Sequence, residues 1–316
     1  MRISTSFSVV PALALILSTV VACDSERHQR GTGGEAEEGR AATGEGKGTL
    51  TIKGSDTMVI LAQRWAQAYM KANPGVSVQV SGGGSGTGVA ALINGTTDIA
   101  NASREMKASE KKKVREKRGA AAHEVRVALD ALAVYVHQDN PVESIGLEDL
   151  RKIYLGKIDN WKEVGGPDRS ITLYGRENNS GTYVYFKDNV LDGMDFSGGT
   201  QTLPGTSAVI NAVSKDPGGI GYGGIGYAEG VETVALAPED GDAVEPTLDD
   251  AVGGDYPLTR FLHMYTAGEP EGGVEQFIAF VLSPEGQKVV EGAGYYPLPA
   301  EGGDDGKQAA DTPSED

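Results

Sequence analysis

Three stretches of the chain share one chemical design: a strand-like run, a turn rich in Gly, Ser or Thr, and the start of a helical period. They are Gly54-Ser55-Asp56-Thr57-Met58, Gly82-Gly83-Gly84-Ser85-Gly86-Thr87-Gly88 and Arg176-Glu177-Asn178-Asn179-Ser180-Gly181-Thr182. A helix N-terminus leaves its first N–H groups without intrahelical partners and carries about half a positive charge. Glycine lets an anion approach the backbone, and hydroxyls add donors. Arg176 contributes a planar, permanently charged fork that suits phosphate oxygens. Taken singly, Ser55, Asp56 and Thr57 read as helix caps, 82–88 as a turn and Arg176 as a surface ion pair. Three such ends converging would surround a tetrahedral oxyanion with dipolar donors.

Other readings of the glycine loop fail on spacing. A Walker-type loop needs Gly-Lys-Ser/Thr, and no Lys follows here. The dinucleotide fingerprint breaks at Val89, and the hydrolase elbow breaks at Thr87. The four His are scattered, at 28, 123, 137 and 263, with no metal-ligand spacing, so neither a metal nor a cofactor is expected. A net charge of -17 argues against nucleic acid, whose backbone requires a basic face. It does not argue against a small anion, because exposed charges beyond about 8 Å are largely screened at physiological salt. Aromatic residues are few, at 6%, which makes a ring-stacking sugar or nucleoside cleft unattractive.

These turns need elements to hold them. Strand patterns fall at 49–53, 76–80, 98–102, 125–137, 171–174, 220–227, 233–236 and 258–265. Helical periods fall at 58–69, 89–93, 107–118, 147–154, 183–191, 207–214 and 274–291. The alternation predicts an α/β fold with mainly parallel sheets. The roughly 250 residues from 48 to 300 exceed the ordinary size of a single core, so two lobes are expected.

The ends read differently. Residues 1–22 carry Arg2 and an apolar run at 9–21, the pattern of an export signal. The run is shorter than the roughly 20 apolar residues of a membrane span. The chain has one cysteine, Cys23, directly after Ala22, and Val20-Val21-Ala22-Cys23 is similar to a bacterial lipobox, which implies cleavage before Cys23 and lipidation of its thiol. Residues 23–47 read as a flexible tether, and 301–316 as a disordered acidic tail.

On these residues the chain resembles the phosphate-binding proteins of bacterial phosphate-specific ABC transporters. The matching motifs are I-K-G-S-D-T-M with Trp65, G-G-G-S-G-T-G, D-I-A-N-A-S-R, R-E-N-N-S-G-T-Y, F-V-L-S-P-E-G-Q and G-Y-Y-P-L, spread from about residue 50 to residue 298. The resemblance implies a two-lobed type II periplasmic-binding-protein fold, with hinge strands and a central ligand cleft. Lobe I would be 48–126 plus 231–300 and lobe II 127–230, with crossings near 127–131 and 228–233. It also implies a monomeric, lipid-anchored protein, exported to the periplasm or cell exterior, that passes inorganic phosphate to an ABC permease and is not an enzyme. Carried over by motif, Ser55, Thr57, Met58 and Ser85 would bind the anion from lobe I, and Arg176, Ser180, Gly181 and Thr182 from lobe II.

Well-known members carry an Asp where this chain has Arg104, and an Arg accepts no hydrogen bond. We therefore expect Arg104 as a second cation and Asp56 as the proton acceptor, held by Arg104. Molybdate, tungstate or sulfate as ligand, a surface phosphate sensor or adhesin, and a phosphatase are the alternatives left open.

Overall fold

The computed structural model describes residues 48–299. The export signal, Cys23, the tether and the acidic tail lie outside the described residues. The first part of the chain forms β1 (Thr49–Gly54), α1 (Val59–Ala72), β2 (Ser77–Ser81), α2 (Ser85–Asn94), β3 (Ile99–Ala102), α3 (Ala108–Arg118) and the long β4 (Ala122–Val136). Next come β5 (Ser144–Gly146), α4 (Leu147–Tyr154), β6 (Thr172–Arg176), α5 (Gly181–Asn189), β7 (Gln201–Leu203), α6 (Thr206–Val213) and β8 (Gly219–Gly224). The chain closes with β9 (Glu232–Ala237), α7 (Leu248–Gly253), β10 (Thr259–Ala267), α8 (Gly272–Leu282) and α9 (Pro284–Gly292). Among the described residues no helix is long and apolar enough to cross a membrane.

The main sheet runs in the order β2-β1-β3-β10-β4-β8-β6-β7, and β9 pairs with both β4 and β5. The expectation of mainly parallel strands holds only in the wings. The pairs β1–β2, β1–β3, β5–β9, β6–β7 and β6–β8 are parallel. Every pair that includes β4 or β10 is antiparallel. The reason lies in β4: it is 15 residues long and buried continuously from Val127 to Val136. Covered on both faces, residues 127–136 read as an apolar run broken only at Asp130. Its first part pairs with β10 and its last part with β8 and β9, so one strand serves both wings.

Each wing has its own core. Leu50, Ile52, Leu61, Trp65, Phe277 and Val281 belong to the first, and Ile153, Tyr154, Phe186, Tyr222 and Leu236 to the second. Both tryptophans are fully buried with their polar atom satisfied: Trp65 Nε1 donates to Gly286 O at 2.8 Å and Trp161 Nε1 to Gly218 O at 3.0 Å. On β4, Val127 and Ala128 pack in the first core while Ala131 and Leu132 pack in the second. On β10, Leu262 lies in the first core, and Leu258 just before the strand lies in the second.

This corrects the second expected crossing. The resemblance places residues 231–258 in lobe I, but β9 pairs with β4 and β5, and Val234, Leu236, Tyr256 and Leu258 belong to the second core. The return occurs at the start of β10, not at 228–233. The single helix expected at 274–291 is two helices, because Pro284 cannot donate to the preceding turn and Ser283 caps a new start, its Oγ accepting from Gly286 N. The strand expected at 220–227 stops at Gly224 and continues as a 3-10 turn at Ile225–Tyr227.

The second core is organised around Phe186, which stacks on Tyr222 with ring centroids 4.0 Å apart and meets Tyr154 at 4.7 Å. Replacing it with Ala removes these contacts and leaves a cavity. Phe186→Ala should lower stability by about 3–5 kcal/mol, measured as a shift in the urea midpoint with an unchanged slope.

Candidate functional site

The first anion-type turn is held from beneath. After β1, Ser55 N donates to Asn101 O at 2.9 Å, and Asp56–Met58 forms a 3-10 turn. Tyr227 OH donates to Asp56 O at 2.7 Å and Tyr295 OH to Thr57 O at 2.6 Å, so two partly or fully buried phenols fix the turn's carbonyls. Burial raises both phenols, that of Tyr227 to about 12, so they remain donors at any physiological pH. Met58 is sunk in the first core, and its N–H is engaged by Ser55 O at 3.1 Å. Met58 thus closes the turn, and the donor to the anion expected of it is used there.

The second turn ends in α2, whose N-cap, Gly84, has φ 88°, a left-handed value that favours glycine. Ser85 is the first residue of the helix and is fully buried; its Oγ accepts from Ser103 N at 3.1 Å. The third turn leads from β6 into α5. Ser180 is the N-cap, its Oγ accepting from Tyr183 N at 3.3 Å. Gly181 and Thr182 open the helix, where no i−4 carbonyl is available to their N–H groups.

These turns meet. Thr57 Oγ1 lies 2.8 Å from Thr182 Oγ1, which lies 3.5 Å from Ser103 Oγ, which lies 3.4 Å from Ser85 Oγ. Hydroxyls from residues 57, 85, 103 and 182 therefore form one buried row that joins elements of the two cores. The backbone reinforces the junction: Gly86 N donates to Asn179 O at 2.9 Å, and Asn179 Nδ2 donates to Gly83 O at 3.0 Å. Arg176 spans the same gap. Its Nη2 donates to Asp56 Oδ2 at 2.8 Å and its Nη1 to Thr206 Oγ1 at 2.8 Å. Its Nε and the hydroxyl of Ser55 are buried without a partner among the described residues. Burial pulls the Arg176 guanidinium below its usual range, and the Asp56 carboxylate opposes that pull.

Ser55, Asp56, Thr57, Ser85, Arg176, Ser180, Gly181 and Thr182 all lie on the three converging turns. Arg104 does not act as expected. Its two Nη atoms grip Glu110 at 2.8 Å each, and Nη1 also donates to Glu105 O. This pair holds the Glu110 carboxyl below its ordinary range against the opposing effect of burial. Asp56 is held by Arg176 and by Gly83 N at 2.9 Å, not by Arg104. The reason is proximity: Glu110, six residues on at the start of α3, offers a bidentate partner that a guanidinium fits.

Three residues at the junction had no place among the expected site residues. Ser103 completes the hydroxyl row. Arg260 on β10 is buried against Asp130 on β4: Nε and Nη2 both donate to Asp130 Oδ2, at 2.9 and 2.8 Å. Arg260 Nη1 also reaches Ser103 O and Nη2 reaches Thr182 Oγ1, each at 3.0 Å. The signal was present in the sequence: Asp130 and Arg260 are opposite charges, each interrupting an apolar strand run. A buried charge requires a partner, and here each is the other's.

Two α/β lobes joined by paired crossing strands, with hydroxyl and guanidinium groups of both meeting at the junction, define a solute-binding protein of the periplasmic type. A family model described as a PBP superfamily domain matches residues 39–285. The phosphate-binding protein PstS of Pseudomonas aeruginosa is 38% identical over 271 residues, covering 80% of this chain and 84% of its own length. PstS of Bacillus subtilis is 34% identical over 273 residues, covering 85% and 88%. A phosphate ABC transporter substrate-binding protein from Clostridium perfringens, solved with bound phosphate, superposes with a TM-score of 0.73 at 30% identity, over 80% of this chain and 100% of that one. An ABC-type phosphate transport receptor from Vibrio cholerae gives 0.64 at 30% identity, over 79% and 100%. The chain belongs to the PstS family of phosphate-binding proteins within the PBP superfamily.

The tightness of the junction yields a test of closure. A Cβ added to Gly181 would sit 2.3 Å from Ser85 Oγ and 2.7 Å from Ser103 Oγ, although the helical backbone at 181 accepts alanine readily. Those contacts exist only when the two lobes meet. Gly181→Ala should therefore weaken ligand binding at least about tenfold while leaving the melting temperature of the ligand-free protein unchanged.

Proposed function

We propose that this protein captures inorganic phosphate outside the cytoplasmic membrane and hands it to the permease of an ABC transporter. The observation that carries this reading is the meeting of the hydroxyl row with a buried Arg176 between the lobes. Phosphate has four oxygens and needs donors on all sides; hydroxyls of both lobes, N–H groups of the α5 and α2 first turns and a guanidinium supply them. Each charge-assisted bond contributes about 1.5–3 kcal/mol net. A handful of them offsets dehydration of the anion and yields the roughly 8 kcal/mol of micromolar binding. The relatives named as phosphate-binding and transport proteins support the same ligand, and support a carrier instead of an enzyme.

We take lobe I as residues 48–130 plus 259–299 and lobe II as 131–258, following the two cores. Closing them completes the shell, and the closed form is what a permease would engage. We further propose that Cys23 is the lipidated first residue of the mature chain. In the site, Asp56 is the acceptor of the phosphate proton: each of its oxygens already takes one hydrogen bond and keeps a second lone pair.

Calorimetry on protein stripped of ligand, against phosphate, sulfate, molybdate and tungstate, tests the ligand. Phosphate should bind at least about a hundredfold more tightly than the others, a gap of about 2.7 kcal/mol; equal affinity for sulfate would overturn the reading. Arg176→Ala should abolish tight binding with the fold retained by circular dichroism. Asp56→Asn should narrow the gap between phosphate and sulfate.

A further inference from the structure

Arg260 and Asp130 are register partners on β10 and β4, at the point where both strands pass from one core to the other. From that position the Arg260 side chain touches Ser103 O in the loop after β3 and Thr182 Oγ1 at the start of α5, so one guanidinium reaches site loops of both lobes. Its N–H groups are all donors. Nε and one Nη2 hydrogen are spent on Asp130, Nη1 on Ser103 O, and Nη2 also on Thr182. The ring of Tyr185 lies 5.2 Å from the guanidinium carbon and covers it. Four of the five N–H hydrogens of Arg260 are thereby engaged within the protein, including both on the nitrogen that faces Thr182.

Its effect falls on Thr182. A hydroxyl has one hydrogen and two lone pairs. Because Arg260 can only donate, Thr182 Oγ1 receives that bond on a lone pair, and its own hydrogen must leave in another direction. Thr57 Oγ1, 2.8 Å away, shares a hydrogen bond with Thr182 Oγ1 in which either hydroxyl can donate. At the other end of the row, Ser103 N donates to Ser85 Oγ and occupies one of its lone pairs in the same way. A fixed donor thus occupies one lone pair on each of Thr182 and Ser85, which biases these hydroxyls towards giving their hydrogens, the polarity an anion requires.

We propose that Arg260, clamped by Asp130, is a positioning residue of the anion site, acting through Thr182 to fix the row of hydroxyls as donors. This rests on the phosphate reading of the site. Preorganised donors need no reorientation when the anion arrives, so affinity is gained without a contact to the ligand.

The test is a double-mutant cycle read by phosphate calorimetry, with Arg260→Lys and Thr182→Val made singly and together. Lysine keeps a cation for Asp130 but has no fork to span Asp130, Ser103 and Thr182 at once. Each single variant should weaken phosphate binding at least about tenfold. The double variant should be no more than about threefold weaker than the poorer single one, because both remove the same interaction. Independent, multiplying losses would overturn the proposal, as would Arg260→Lys binding like the wild type. If Arg260→Lys does not fold, the neutral pair Asp130→Asn with Arg260→Gln replaces it and leaves no unpaired buried charge. That pair should lose at least about tenfold in affinity and show the same non-additivity with Thr182→Val; a lowered melting temperature with unchanged phosphate affinity would reduce Arg260 to a structural role and overturn the proposal. Wild-type protein that binds no phosphate would defeat the phosphate reading and this proposal together, whereas wild-type binding with additive variants defeats this proposal alone.

Discussion

Polar groups buried between two lobes must find partners, and the whole site is arranged by that requirement. Two guanidiniums and two carboxylates are enclosed there, and each cation is tied to one anion: Arg176 to Asp56 across the gap, Arg260 to Asp130 on the crossing strands. The side-chain charges thus cancel in pairs. A ligand anion is left to be balanced by helix-end dipoles, hydroxyls and the uncommitted edge of Arg176. A net charge of -17 is therefore no bar to an anion at this place. The surface charge is screened by salt, while the oriented dipoles act at contact distance in a dry place.

The two cores serve this arrangement from below. Tyr295 in the first core and Tyr227 packed against it point their hydroxyls at the carbonyls of Thr57 and Asp56, which holds the first turn in place. Phe186 on α5 stacks on Tyr222 of β8 in the second core, which ties the helix that begins with Gly181 and Thr182 to the sheet. Asp130 and Arg260 are both buried, and burial raises the Asp130 carboxyl above its ordinary range against the pull of Arg260. A pair that has given up this much hydration is retained only with complete hydrogen bonding, and every oxygen of Asp130 has a donor: Ile225 N on one, Arg260 on the other.

Much of this was legible in the sequence because it rests on local chemistry. The three turns announce themselves through Gly, Ser and Thr after strand patterns, and their residues lie where such patterns place them. The alternation of strands and helices gave the α/β class. What escaped depends on contacts distant in the chain. Arg104 and Arg176 look alike as residues; only folding shows that Glu110 claims the first and Asp56 the second. The return crossing could not be located from composition, since 231–258 and the residues after it are equally apolar in pattern and differ only in which core they join. Helix 274–291 was divided by a single residue, Pro284, whose effect an apolar period conceals. Arg260 and Asp130 stood in plain view as charges in apolar strands, but 130 residues separate them, and their pairing is a property of strand order.

The connection between the lobes has a mechanical meaning. β4 and β10 are continuous antiparallel strands whose register is fixed by nine paired positions, interrupted by a bulge between Leu262 and His263. A ladder of this kind resists shear strongly, because slipping by one residue would exchange every inward and outward side chain. It yields to twist far more easily, and a bulge is where such a ribbon bends. Lobes joined by such a ribbon would part by twisting it, as plates on a torsion bar do, and not by sliding one strand along the other.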